Sequence, residues 1–138
     1  MVERFKKGSD IQERAFLFAR GVIGLHREIY SKAPILRDLS RQLLRAVTSI
    51  GANLEEADAA QSRPDFVSKC TIALKEAREP KYWLRLLVAE GMGGELLFAE
   101  SNELIAILTT IVRRTRENEV REDPEQEYKA SFIMELLP

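Results

Sequence analysis

Apolar residues recur at helical intervals along most of the chain. Ile11, Ala15, Phe18, Val22, Leu25 and Ile29 alternate steps of four and three, the pattern of a helix that buries one face. Ser9 in front, with Gln12 three positions on, reads as a capped start. Pro34 closes the segment, because the residue before a proline is pushed out of helical geometry. The spacing predicts a first helix over 10–30, and Gly21 and Gly24 in it leave room for another backbone to approach. Leu36, Leu39, Leu43, Val47, Ile50 and Leu54 mark the seam of a second helix over 35–59. A third follows Ser62 as N-cap with Pro64 in its first turn, where a missing N–H costs nothing. Its stripe is Phe66, Cys70, Ala73, Ala77, Leu84 and Leu87, and it ends in the glycine turn at 91–94. Pro80 lies inside, so one helix kinked near Pro80, with the bend close to Ala77, is expected in place of two helices. The fourth helix is expected over 95–119 with Leu104, Leu108 and Ile111 inward.

Short breaks force neighbouring helices to reverse, so the fold class is all-α, an antiparallel up-down-up-down four-helix bundle. The bundle takes residues 1–120 as one domain. Residues 121–138 form a C-terminal tail beyond Asp123-Pro124, either flexible or a short docking helix, with Tyr128, Phe132, Ile133, Leu136 and Leu137 at helical spacing.

Two helices are more apolar than a lone bundle needs. Residues 104–112 run without a charge around the whole circumference of the fourth helix, and Tyr82, Trp83, Leu84, Leu86, Leu87 and Val88 widen the stripe of the third. Such width implies a second partner surface, which a copy of the same chain or the tail would cover, and self-association is the preferred expectation.

Composition adds bounds. The chain has 138 residues, 45% apolar and 31% charged, ordinary for one globular domain. Its net charge of −1 offers no general pull on nucleic acid. Yet residues 1–50 hold ten Lys or Arg against five acids, and Arg37, Arg41 and Arg45 sit four apart on one helix face. Like charges at that spacing repel unless an acidic group or a phosphate answers them. With Lys6 and Lys7 they form the candidate nucleic-acid-binding set. The one cysteine, Cys70, sits on an apolar stripe and reads as a small buried hydrophobe. With no secretory signal or apolar run of membrane length, a cytoplasmic, membrane-free protein is expected.

Catalytic patterns are missing. A di-iron bundle needs paired Glu-x-x-His motifs, whereas His26 is alone and reads as a partly buried structural residue. There is no metal-ligand spacing, phosphate loop or nucleophile elbow. No enzyme activity, cofactor, metal or small-molecule substrate is expected.

Two motifs carry a resemblance. The segment 42–56, QLLRAVTSIGANLEE, is similar to Q-L-x-R-A-x-x-S-I-x-A-N-I-x-E-G. Phe66 through Leu84, with Ile72, Ala73, Leu74 and Glu79, is similar to F-x-x-x-x-x-I-A-L-x-x-x-x-E-x-x-x-x-L. Both resemble the family first named for proteins encoded in intervening sequences of 23S ribosomal RNA genes, over about residues 12–118. Ala57 departs from the family's glycine and Pro80 from its usual helix former. The resemblance implies an up-down bundle, homopentamers and no known catalysis. It also implies a relative, the accessory variability protein of diversity-generating retroelements, that binds nucleic acid through a basic face. It marks Asn53, Glu56 and Glu79 as shared polar positions, expected to form a hydrogen-bonded structural cluster across the bundle. The functional expectation is a non-enzymatic oligomeric bundle that contacts RNA or DNA or serves as an adaptor. The alternative is a purely structural or protein-interaction module without nucleic-acid binding.

Overall fold

The computed structural model describes the backbone of residues 7–122 and the side chains of 11–118. Within them the chain forms α1 (Lys7–Lys32), a 3-10 turn (Pro34–Leu36), α2 (Arg37–Asp58), α3 (Arg63–Ala89) and α4 (Glu95–Glu122). Short turns reverse the direction each time, giving the antiparallel four-helix bundle, with no strand among the described residues.

The six expected inward positions of α1 are all buried, Val22 and Ile29 completely. The helix already includes Lys7, so Ser9 and Gln12 lie within it and not at a capped start. Pro34 has a different effect at the next junction. It opens a single 3-10 turn, closed by Leu36 N–H donating to the Ala33 carbonyl at 2.9 Å, and α2 begins after it.

In α2 the buried seam is Ser40, Leu43, Val47, Ile50 and Leu54, again in steps of three and four. Leu39, expected on this seam, is half-buried, and Ser40, three residues before Leu43, takes the fully buried place. Ala57, where the family pattern has glycine, is buried in the core, and the helix runs one residue further.

The cap of α3 is as expected: the Ser62 hydroxyl accepts from Asp65 N–H at 3.2 Å, with Pro64 in the first turn. Helix α3 passes through the buried Pro80 as one element. The turn into α4 uses glycines with left-handed backbones, Gly91, Gly93 and Gly94. At Gly94, φ is 95°, a left-handed backbone that favours glycine, and a Cβ would sit tightly, 3.3 Å from Leu25 Cδ2. In α4 the buried face is Ser101, Leu104, Leu108 and Val112, with Ile111 beside it and only half-buried.

The helical glycines differ in their surroundings. A Cβ on Gly21 would come 2.7 Å from Leu97 Cδ2, so the close neighbour is a side chain of α4 and not the expected backbone. Nothing lies within 4 Å of such a Cβ at Gly24 or Gly51. Gly51→Ala is therefore expected to stabilise the fold by about 0.5–1 kcal/mol, through helix propensity alone. Urea unfolding should show a raised midpoint with an unchanged slope.

Candidate functional site

The arginine row sits at the corner between α1 and α2, and Tyr30 organises it. Arg37 Nε donates to the Tyr30 carbonyl at 2.8 Å, and its guanidinium lies over the Tyr30 ring, 4.5 Å from the centroid. Arg41 Nη2 approaches the Tyr30 hydroxyl at 3.4 Å, while Nη1 pairs with Asp38 at 2.7 Å on its own helix. The hydrogen bond from Arg41, and then its charge, pull the Tyr30 phenol below its ordinary pKa. The same hydrogen bond raises Arg41. Two of the three arginines thus clasp the α1–α2 corner, and an acid of the same chain answers one of them. These exposed pairings are worth little individually but hold the planar groups in place.

Arg45 differs from its neighbours. It is exposed, its guanidinium makes no ion pair or hydrogen bond among the described residues, and it shares a shallow hollow with Asp38, Arg41 and Gln42. Lys6, and the side chain of Lys7, lie outside the described residues.

The His26 ring lies tilted against Tyr30, with centroids 5.4 Å apart, and its Nδ1 is 2.6 Å from the Ser40 hydroxyl. Ser40 is fully buried, so this bond satisfies a polar group that burial would otherwise penalise. The histidine is a half-buried structural residue, as its setting on the stripe suggests. Ser40 was not anticipated, although its place in the three-and-four alternation of α2 identifies it. Ser101, the other buried polar residue described, satisfies its hydroxyl on the Phe98 carbonyl at 2.7 Å.

Asn53, Glu56 and Glu79 do not form the expected cluster. Asn53 donates to the Ser49 carbonyl at 2.9 Å within its own helix. Glu56 pairs with Lys69 of α3 at 2.9 Å, a hydrogen bond that raises the lysine pKa. Glu79 accepts from Trp83 Nε1 at 2.9 Å, one turn along α3. The separation follows from antiparallel register: pairing Glu56 with Lys69 sets Asn53 level with Ile72, and Glu79 lies about 10 Å further along.

Cys70 is buried, and burial pushes its thiol pKa up, the reverse of what a nucleophile requires. Among the described residues no group of three His, Cys, Asp or Glu side chains could hold a metal, and no helix is long and apolar enough to cross a membrane.

The unexpected feature is a second stripe on α1. Phe16, Ile23 and Tyr30 follow one another at intervals of seven and are all exposed, Phe16 by 58%. Arg20 and Arg27 occupy the intervening positions, also exposed. This is heptad spacing on the side of α1 turned away from its own core. The apolar excess expected on α3 and α4 is smaller than the sequence suggested. Trp83, Leu86, Val88, Ile105 and Ile107 are half-buried, leaving Tyr82 and Ile72 exposed on α3 and Leu96, 87% exposed, at the start of α4.

A family model described as "23S rRNA-intervening sequence protein" matches residues 7–114. Among solved structures, the chain is similar to a Bacteroides thetaiotaomicron protein of unknown function assigned to the S23 ribosomal protein family. The two are 37% identical with a TM-score of 0.68, and the match covers 74% of this chain and 97% of that one. No curated protein matches the chain.

Proposed function

Because the chain belongs to the 23S rRNA-intervening sequence protein family across residues 7–114, we propose that it works without catalysis, as a helical bundle that assembles with copies of itself. The observation that carries this reading is the outward stripe Phe16, Ile23 and Tyr30 on α1, spaced by heptads and left exposed by the single chain. Large apolar side chains aligned at that interval match the seam of a packed partner helix, and symmetric self-association is the common way to cover one. Five copies is the number the family resemblance implies. Size-exclusion chromatography with light scattering tests the proposal. The expected mass is five times the 15.8 kDa of one chain. Any other multiple supports assembly and rejects the pentamer, whereas the mass of a single chain overturns both.

A second reading, contact with RNA or DNA phosphates, is favoured by Arg45, exposed and unpartnered beside an Arg41 already held in place. Copies brought together would repeat this basic patch, which compensates for a net charge of −1 per chain. RNA retained on a filter at low salt should be released as salt rises. Arg41→Ala combined with Arg45→Ala should flatten that salt dependence by about two counterions per site. RNA that is not retained even at low salt leaves the protein-interaction module as the function.

A further inference from the structure

The outward stripe of α1 is basic as well as apolar, since Arg20 and Arg27 stand exposed between Phe16, Ile23 and Tyr30. We propose that this stripe docks, antiparallel, on the outward face of α4 of a second copy, so that each contact joins two different faces and runs head to tail. The docking rests on the self-assembly proposed for the chain and names the face that receives α1.

Charge selects the face. Two α1 stripes paired symmetrically about Ile23 would set Arg20 of one copy beside Arg27 of the other, and like charges so placed repel. Helix α2 exposes no large apolar side chain for the stripe to meet. Helix α3 exposes Ile72 and Tyr82, but among the exposed Lys75, Arg78, Lys81 and Arg85, which repeat the repulsion. The tail beyond Glu122 lies outside the described residues. Helix α4 differs from the others. Leu96, Ala99, Glu103, Ala106 and Thr110 are all exposed and step by three and four, as the seam of a coiled coil does. Glu95 is exposed beside them, and no Lys or Arg occurs from 95 to 112. Within one chain α1 and α4 meet on other sides, through Arg14 with Glu100 and Gly21 with Leu97.

Spacing then fixes the direction. Phe16 and Ile23 are seven residues apart, and so are Ala99 and Ala106, whose small side chains leave room for large ones. Setting Phe16 on Ala106 and Ile23 on Ala99 runs the two helices antiparallel, with Arg20 beside Glu103 and Arg27 beside Glu95. The parallel pairing, Phe16 on Ala99 and Ile23 on Ala106, leaves Arg27 facing Thr110. Ion pairs at such an edge add little energy, but they choose the partner face and the direction. Contacts between unlike faces close into a ring or continue as a filament.

Oxidation of the full-length chain carrying Ile23→Cys and Ala99→Cys, with Cys70→Ala, tests the proposal. The expected product is a ladder of covalently joined chains that continues past the dimer, since the docking brings the two positions within the Cα separation of about 7 Å that a disulfide spans. Either cysteine alone should leave the chains unlinked. Covalent dimers from Ile23→Cys alone overturn the proposal in favour of a symmetric α1 seam, and a ladder from Ile23→Cys with Ala106→Cys in place of Ala99→Cys overturns the direction. No link in a sample whose light scattering shows an assembly rejects α4 as the receiving face and leaves self-assembly standing, whereas the mass of a single chain overturns both. A charge swap guards against a cysteine variant that fails to fold. Arg20→Glu with Arg27→Glu should raise the concentration at which the assembly dissociates by about tenfold, and Glu95→Arg with Glu103→Arg should do the same. All four changes together should restore the wild-type value, and failure to restore it at unchanged helix content overturns the pairing.

Discussion

Phe16→Asp combined with Ile23→Asp is expected to reduce the assembly to single chains of 15.8 kDa while the helix content stays unchanged. Both side chains are exposed in the single chain, so their loss costs the fold of one bundle little. In an assembly seamed along α1 the same two positions would be buried. A carboxylate without a partner there would carry a desolvation penalty that no nearby contact repays. Arg20 and Arg27 on the same stripe offer salt bridges at its edge, and pairs of that kind are too weak to offset the loss. Light scattering and circular dichroism on one sample separate the outcomes. A variant that keeps the wild-type mass moves the interface elsewhere, with Tyr82 or Leu96 the next residues to change.

Leu104→Ala should remove about 3 kcal/mol of stability. Leu104 is fully buried at the centre of the inward face of α4, where truncation leaves a void that its close-packed neighbours fill only in part. Measured on the dissociated background, so that assembly adds nothing, the loss should lower the urea midpoint by about 2 M. Leu96→Ala is the control. At 87% exposure it has little to lose, and a change below about 0.5 kcal/mol is expected. Equal losses at the two positions would contradict the burial pattern of α4.

How far the sequence could be read depended on the distance over which a pattern acts. Signals within one or two turns were legible. The six inward residues of α1, the Ser62 cap with Pro64, and the glycine turn before α4 all depend on local spacing and backbone geometry. The second stripe of α1 is hidden in the sequence because it lies one position from the first. Phe16 follows Ala15, Ile23 follows Val22 and Tyr30 follows Ile29, so the two seams merge into one broad apolar signal. The polar residues failed for another reason. Whether Asn53, Glu56 and Glu79 meet is decided by the sliding register of α2 against α3, which no spacing within either helix encodes. The arginine row was visible as a row, but its anchor was not. Tyr30 stands on the previous helix, and only the turn at Pro34–Leu36 brings its ring beneath Arg37.

Each helix of the bundle packs chiefly on the next one along the chain, and α1 meets α4 less extensively. The hairpins α1–α2, α2–α3 and α3–α4 can therefore zip up through short loops, with little chain entropy spent before contacts form. Acquisition of structure on the order of microseconds to milliseconds is the consequence. The remaining side, where Arg14 of α1 grips Glu100 of α4 and Leu97 rests against Gly21, joins the most distant parts of the sequence. It should zip last and exchange its amide protons first.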